Sequence, residues 1–261
     1  MDYRSVSRPQ NSPTTGRWTR VTFPSAGEPG DPPVRLDGRM AGFEDDLRHP
    51  AVLLLHPNPA HGGTMDSKIL RAIADTVYPL GVGSLRYNSR GVGSSEGEIL
   101  VEPGTTGDLS WVEGTWETAD VAAALDFLAA QPWVDSTRIA LVGFSFGSRI
   151  AFSHLAAHPH DPRICAVVAI GFPLATRDLS HLGQWAGPKL FITGEDDPFC
   201  PPDQLAAFVE GLPPPALRAV INGVGHFLTG REPAAGLIAA EFLRPLLGEP
   251  RPTWGVLRGD W

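Results

Sequence analysis

The sequence predicts an α/β protein with a mostly parallel sheet of eight strands and helices on both faces. Three observations carry this prediction. Short apolar runs alternate with segments of helical periodicity along most of the 261 residues. Two strands come first, and repeated strand–helix units follow them. The central apolar runs are nearly continuous, as expected for parallel strands that are covered on both faces. Because we find neither an internal repeat nor a linker, residues 17–247 are predicted to form one domain.

Strands are predicted wherever a short apolar run stands between turn-forming residues. In order along the chain, these runs occupy residues 18–24, 34–43, 51–57, 82–88, 138–145, 163–171, 188–195 and 216–223.

Helices are predicted where apolar residues recur at a spacing near 3.6. They occupy residues 67–80, 117–131, 146–158, 202–212 and 232–247. Asp66 and Ser145 stand where two of these helices begin, and Pro202 and Pro233 suit a first helical turn.

Composition limits the classes of partner. The net charge of −8 and the pI of about 5.4 predict no basic face, so nucleic acid and anionic membrane surfaces are poor partners. We find no apolar run of membrane-spanning length and no signal-peptide core. Cys165 lies in an apolar run and Cys200 in a Pro-rich turn, which argues against a disulfide framework. The expected location is therefore the cytoplasm.

Three segments depart from the strand–helix rhythm. Residues 1–16 are polar and rich in Ser, Pro and Thr, which predicts a flexible N-terminal arm, and residues 248–261 form a C-terminal tail. Residues 98–116 form a long connection that carries Trp111 and Trp116. Long loops with aromatic residues are often functional, so both tryptophans are candidates for a lid that binds substrate. Covering an exposed edge of the core is an equally good interpretation of each.

The segment GFSFG, residues 143–147, matches the G-x-S-x-G pattern of a nucleophile elbow. It directly follows a predicted strand and directly precedes a predicted helix, which is the context that an elbow requires. The glycines allow a sharp turn that would expose the hydroxyl of Ser145 at the positive end of the helix dipole. Ser145 is therefore the candidate nucleophile.

A serine alcohol needs a base that is oriented by an acid, in the chain order Ser, Asp or Glu, then His. His226 follows the last predicted strand and is the candidate base. The acid has three adjacent candidates, Glu195, Asp196 and Asp197, which all follow the preceding strand. Asp197, three residues after a glycine and before a Pro-containing turn, is preferred, and Asp196 is the runner-up.

These motifs resemble those of the α/β-hydrolase superfamily, over about residues 34–247. The chain is most similar to the small branch near the dienelactone hydrolases, and the stretches HPNPAHGGTMDSK (56–68) and LRYNSRGVGSSEGE (85–98) are typical of that branch. The resemblance implies an α/β-hydrolase fold. Residues 172–189 leave no room for a large cap domain, so the site is expected to be open.

The chain departs from that branch in two respects. Dienelactone hydrolases use a cysteine nucleophile, whereas Ser145 stands at the elbow here, so lactone specificity is not carried over. Asn58 stands where the branch usually has another histidine, and Ser89 where it usually has an aromatic residue. Both changes are expected to alter the pocket and to leave the triad intact.

Other interpretations of the glycine- and histidine-rich stretches are weaker. His56 and His61 have no acidic or cysteine partner at the spacing of zinc ligands. The segment GGTMDSK (62–68) does not match a phosphate-binding loop, and NSRGVGSSEG (88–97) lacks the third glycine of a dinucleotide fingerprint. We therefore expect neither a metal nor a cofactor.

The stretch HPNPAHGG, residues 56–63, is predicted to supply half of an oxyanion hole. In similar hydrolases one donor is the N–H after the nucleophile, here that of Phe146, and the other follows the third strand. The resemblance maps the second donor to Asn58. The prolines on either side of Asn58 have no N–H, which makes it the sole donor nearby on chemical grounds as well.

The sequence therefore predicts a serine hydrolase that cleaves carboxylic esters or thioesters through an acyl-enzyme. Candidate substrate-binding residues are His56, Trp111, Trp116 and Phe227. The expected partner is a small-molecule acyl ester or thioester, either free or bound to a carrier. The alternative keeps the fold and the triad for a non-hydrolytic step in biosynthesis, as in a cyclase, a lyase or an acyltransferase.

Overall fold

The part of the chain that the structure describes contains eight strands in one sheet, and each strand overlaps a run predicted from the sequence. A computed structural model describes residues 18–26, 32–99, 115–174 and 185–247. The strands are β1 (Thr19–Ser25), β2 (Val34–Ala41), β3 (His49–Leu55), β4 (Gly83–Tyr87), β5 (Val134–Phe144), β6 (Ile164–Ile170), β7 (Lys189–Gly194) and β8 (Ala216–Ile221). Their order across the sheet is β1-β2-β4-β3-β5-β6-β7-β8.

The predicted mixture of strand directions is confirmed. β2 pairs antiparallel with both β1 and β4, and every pairing from β4 through β3 to β8 is parallel. Parallel strands end at the same edge of a sheet, so the loops that follow β3, β5, β6, β7 and β8 meet there. That edge is where α/β sheets bind their ligands.

β5 begins earlier than its apolar pattern indicated. Val134 pairs with His49, and the register shifts before Ala51 pairs with Ile139. The residues between Val134 and Ile139 are polar or charged, and Ser136 and Thr137 are exposed, so hydrophobic periodicity begins only after them. Backbone pairing across the shift, which local sequence does not reveal, extends the strand.

Among the described residues, five α-helices cover the two faces, as predicted: α1 (Lys68–Val77), α2 (Thr115–Ala129), α3 (Phe146–Ala157), α4 (Pro202–Glu210) and α5 (Glu232–Leu243). α2, α3 and α4 pack on one face of the sheet, and α1 and α5 on the other. Alternate residues of β3 enter the two cores: Leu53 and Leu55 enter one, and Val52 and Leu54 the other.

Two helices give way to 3-10 turns before their predicted limits. α1 gives way to a 3-10 turn at Tyr78–Leu80, and α5 to another at Arg244–Leu247. Each turn contains a proline, Pro79 or Pro245. A proline lacks the N–H that would continue the helical hydrogen bonds, so the helix tightens at that point.

The connection between β6 and β7 is only residues 171–188, which is too short for a large cap domain. No helix within the described ranges is long and apolar enough to cross a membrane. The predicted arm, residues 1–16, and the predicted tail, residues 248–261, lie outside the described residues and stay predictions, as does the single-domain boundary at 17–247.

The carboxyl end of α3 contains a buried histidine. His154 is 1% exposed, its ring stacks on His158 at 4.6 Å, and its Nε2 lies 3.8 Å from a carboxylate oxygen of Asp161. Burial, reinforced by the neighbouring His158, lowers the pKa of His154 to about 4. The folded protein therefore holds this imidazole neutral in mildly acidic solution, where an unfolded chain would protonate it.

This histidine predicts a loss of stability in acid. Because the pKa of His154 is lower in the folded than in the unfolded state, its contribution is complete above about pH 6.5 and is lost as the pH falls towards about 4. Between about pH 7 and pH 5 the free energy of unfolding should fall by about 2 kcal/mol from this group. Urea titrations at both pH values, repeated with His154→Leu, measure that share. An equal fall in the variant would contradict the assignment.

Candidate active site

Ser145 lies at a strained turn between β5 and α3. Its backbone has φ 51° and ψ −118°, and its side chain makes no capping hydrogen bond to the helix. A Cβ on Gly143 would lie 2.3 Å from the N of Ser148, and a Cβ on Gly147 would lie 2.2 Å from the carbonyl oxygen of Leu55. Only glycine fits at either position, so GFSFG has the close packing that an elbow demands.

Hydrogen bonds hold the elbow from both sides. The N–H of Ser145 donates to the carbonyl of Ile170 at 2.7 Å. The carbonyl of Ser145 accepts from the N–H of Ser148 at 2.9 Å and also from the Ser148 hydroxyl. The backbone is thus fixed, and the half-buried hydroxyl of Ser145 is directed towards the loops that follow β7 and β8.

The structure brings Ser145, His226 and Asp197 together in one hydrogen-bonded chain. His226 Nε2 lies 2.9 Å from Ser145 Oγ, and His226 Nδ1 lies 2.8 Å from Asp197 Oδ2. A carboxylate accepts hydrogen bonds, so Nδ1 carries the proton and Nε2 is left to accept the serine proton. The three residues follow β5, β7 and β8, whose ends meet at the same edge of the sheet.

Asp197 is the carboxylate that faces the histidine. It is 2% exposed, and its Oδ1 accepts from the N–H groups of Phe199 at 2.9 Å and Cys200 at 3.2 Å. Thr193 Oγ1 lies 3.4 Å from Asp197 Oδ2 and donates to the Cys200 carbonyl at 2.7 Å. These contacts orient the carboxylate, so that Oδ2 meets His226.

The two neighbouring acids point elsewhere. Asp196 is exposed, and its N–H donates to the carbonyl of Val224 at 3.0 Å. Glu195 is also exposed, and its carboxylate accepts from the N–H of Gly223 at 2.8 Å. Both residues tie the β7 loop to the β8 loop, and the carboxylate bonded to His226 is that of Asp197.

A glycine that we did not predict makes room for the histidine. Gly171 directly follows β6 and has φ 54°. A Cβ there would lie 2.9 Å from Cε1 of His226 and 3.3 Å from a carboxylate oxygen of Asp197. Its position immediately after a buried strand was the available sequence signal, because glycine at a strand end often marks a close approach.

Aromatic rings surround His226. The rings of Phe199 and Phe144 lie 4.8 Å and 5.2 Å from the imidazole, and that of Phe227 lies 5.4 Å away nearly at right angles. Phe227 is 67% exposed, so a large apolar side chain stands in solvent beside the base. Such a ring is suited to contact an apolar part of a substrate.

A cavity of about 630 Å³ opens beside the triad. Ser145 and His226 line it, together with the predicted residues Asn58, Phe146 and Phe227. Trp111 lies outside the described residues, and Trp116 lies in the first turn of α2, so a lid formed by residues 98–116 stays a prediction.

Arg149, which was not predicted from the sequence, also lines the cavity. It is 6% exposed and lies one helical turn after Ser145 on α3. The spacing of four residues from the nucleophile would have placed both on the same face of the helix. The cavity thus has a buried cationic side chain in its wall.

The loop after β3 is a short turn built around Asn58. Asn58 caps a 3-10 helix, Pro59–His61, and its side-chain oxygen accepts from the N–H of Ala60 at 2.8 Å. Its carbonyl accepts from the N–H groups of His61 at 3.2 Å and Gly63 at 2.9 Å. The Asn58 side chain therefore shapes the loop, and Asn58 is one of the residues that line the cavity.

The placement of His56 corrects one expectation. His56 was predicted to bind substrate, but it is 4% exposed and is not among the residues that line the cavity. Its ring bonds instead to Ser89 and to the carbonyl of Pro57. Burial lowers its pKa below the ordinary value, so the ring is neutral. His56 lies behind the cavity wall and supports the loop.

The described residues contain no group of three or more His, Cys, Asp or Glu side chains that would hold a metal ion. The two cysteines are free thiols, and burial raises the pKa of each to about 12. Neither thiol is therefore activated for attack. Ser145 is the nucleophile candidate that faces the cavity.

The sequence is similar to a known protein family and to a curated bacterial protein. The model of the dienelactone hydrolase family matches residues 106–227. Among curated proteins, an uncharacterized protein of Rickettsia prowazekii, RP471, is 29% identical over 202 residues, which span 75% of this chain and 79% of the relative.

Solved structures agree on the fold. A putative α/β hydrolase from Agrobacterium tumefaciens is 28% identical, with a TM-score of 0.71 over 90% of this chain and 100% of its own. An α/β serine hydrolase homologue from Coxiella burnetii is 27% identical, with a TM-score of 0.66 over 85% and 96% of the two chains. For the fold alone, an α/β serine hydrolase without a lid from Xanthomonas campestris, 24% identical, has a TM-score of 0.68 over 92% and 99%.

The sheet order, the position of the elbow and these similarities lead to one conclusion. The chain has the fold of the α/β-hydrolase superfamily, and residues 106–227 are similar to the dienelactone hydrolase family.

Proposed function

We propose that the protein is a serine hydrolase that cleaves carboxylic esters or thioesters through an acyl-enzyme intermediate. The observation that carries this proposal is the hydrogen-bonded chain from Ser145 through His226 to Asp197 at the wall of the cavity. A serine alcohol becomes a good nucleophile only beside such an oriented base.

The proposed reaction has two halves. Ser145 Oγ attacks the carbonyl carbon while His226 Nε2 takes the hydroxyl proton, and the resulting tetrahedral intermediate expels the alcohol or thiol as His226 returns the proton to it. A water molecule then attacks the acyl-enzyme. His226 removes a proton from that water, and Ser145 leaves as the alcohol when His226 protonates it. Asp197 stays ionised throughout and stabilises the imidazolium that forms twice.

Two backbone N–H groups are proposed to hold the oxyanion. Phe146 is the first residue of α3, so its N–H lies in the helical turn whose dipole favours negative charge. Asn58 lies across the cavity wall on the β3 loop, and the two prolines beside it have no N–H to donate. Donors aimed at the charge that develops in the transition state lower its free energy, and losing one typically costs about 10²–10³ in rate.

The cavity is proposed to hold a small-molecule acyl group. Its volume of about 630 Å³ is typical of pockets for small ligands, and Phe227 supplies an exposed apolar surface beside the base. Delivery of the acyl group by a carrier and a cytoplasmic location stay predictions from the sequence.

A panel of substrates tests this proposal. We expect p-nitrophenyl acetate and butyrate to be hydrolysed, with an initial burst of about one equivalent of p-nitrophenol if deacylation is the slower half. Thioesters of graded chain length then measure the acyl preference through kcat/KM. Fluorophosphonate labelling without turnover of any ester or thioester would instead favour the non-hydrolytic alternative. An absence of labelling would overturn the proposed nucleophile.

A further inference from the structure

We propose that His56 is a positioning residue that holds the Pro57–Asn58 peptide so that its N–H faces the developing oxyanion. The inference rests on the proposed function, because it assigns a task to a residue behind the proposed oxyanion hole. It explains why a buried imidazole stands beside a loop that lines the cavity without itself reaching the cavity.

The hydrogen bonds of His56 determine its tautomer. The backbone N–H of Ser89 lies 3.1 Å from His56 Nε2, and a backbone N–H can only donate, so Nε2 accepts. The hydroxyl of Ser89 also lies 3.0 Å from the same nitrogen. The ring proton must therefore reside on Nδ1, which lies 2.7 Å from the carbonyl oxygen of Pro57. Nδ1 is the donor in that short bond.

The carbonyl that His56 holds belongs to the same peptide as the proposed oxyanion donor. The carbon of Pro57 is bonded to the nitrogen of Asn58, and this peptide is not among the cis bonds of the described chain. In a trans peptide the C=O and N–H groups point in opposite directions. Fixing the carbonyl towards His56 therefore fixes the N–H of Asn58 on the other side, away from the imidazole.

Gly63 packs directly against the carbonyl group of Pro57. A Cβ on Gly63 would lie 2.0 Å from the carbonyl oxygen of Pro57 and 2.6 Å from that of Asn58. The N–H of Gly63 donates to the carbonyl of Asn58 at 2.9 Å. The Pro57–Asn58 peptide is thus held between the imidazole of His56 and the backbone at Gly63, with little room to rotate.

Two effects follow for the transition state. A peptide held in place before the substrate binds avoids reorganisation when the oxyanion forms. A hydrogen bond to the C=O also polarises the peptide and strengthens its N–H as a donor. Both effects act on charge that develops in the transition state, so they should raise kcat and leave substrate binding nearly unchanged.

Substitution of His56 tests the inference. His56→Leu removes the donor and should lower kcat about 10- to 100-fold, with KM within about twofold. It should also weaken binding of a trifluoromethyl ketone inhibitor, which forms a tetrahedral adduct on the serine, by a similar factor. His56→Asn keeps an N–H donor near the position of Nδ1 and should restore most of kcat. His160→Leu, which replaces an exposed histidine, is the matched control.

The outcome remains decisive if His56→Leu does not fold. ¹⁵N NMR of the histidine-labelled wild-type enzyme should show His56 protonated on Nδ1 and bare on Nε2. The opposite tautomer would overturn the inference, as would a His56→Leu variant that keeps the wild-type kcat. Failure of the proposed function is recognised separately, because wild-type enzyme would then lack fluorophosphonate labelling at Ser145.

Discussion

Replacing Ser145 with alanine is expected to lower kcat by on the order of 10⁶-fold, because the alcohol that forms the acyl-enzyme is lost. His226 and Asp197 would remain bonded to each other, but they would have no hydroxyl to activate. The residual rate above that in water would come from the cavity and the oxyanion donors. Release of p-nitrophenol from p-nitrophenyl butyrate measures the change.

Labelling distinguishes this chemistry from a general loss of structure. Mass spectrometry should find one fluorophosphonate adduct on the wild type and none on Ser145→Ala. Ser136→Ala, which changes an exposed serine on the same strand, should label and turn over like the wild type. Equal labelling of Ser145→Ala would show that another residue is the nucleophile.

Replacing Asp197 with asparagine should lower kcat by about 10⁴-fold, although the side chain keeps nearly the same shape. An amide can donate to Nδ1 of His226, which moves the ring proton to Nε2 and prevents that nitrogen from accepting the proton of Ser145. The buried Oδ1 position would keep its bonds from Phe199 and Cys200, so the loop should stay in place.

The adjacent acid is the matched control. Asp196 is exposed, so Asp196→Asn should change kcat by less than about threefold, in line with a surface substitution worth about 0.5 kcal/mol. Measuring both variants on one ester compares two carboxylates that are neighbours in the chain. If Asp196→Asn lost more kcat than Asp197→Asn, Asp196 would be the acid of the triad.

Most of the secondary structure is predictable because its signals are local. The apolar runs that became β3, β5 and β6 need only residues near in sequence to form a continuous apolar strand. The observed strand limits differ from the predicted ones where pairing with residues distant in the sequence extends a strand. The start of β5 at Val134 depends on its pairing with His49 across a shift in register.

The candidate site likewise has features that follow from local sequence and features that depend on contacts between distant residues. The G-x-S-x-G motif and the chain order of Ser145, Asp197 and His226 can be read from the sequence, because each stands at the end of a predicted strand. Side-chain direction cannot be read in this way. Only the backbone N–H groups after Asp197 show why this carboxylate, and not that of Asp196, turns towards the histidine.

The sequence by itself determined the α/β sheet, its helices and the candidate nucleophile and base, since periodicity and turn chemistry are properties of short segments. The tertiary structure decided which acid meets His226, that Gly171 makes room for the imidazole, and that Arg149 lines the cavity. It also showed that His56, which was predicted to bind substrate, makes hydrogen bonds that support the β3 loop. These facts depend on contacts between loops that are far apart in the chain and meet only where parallel strands end together.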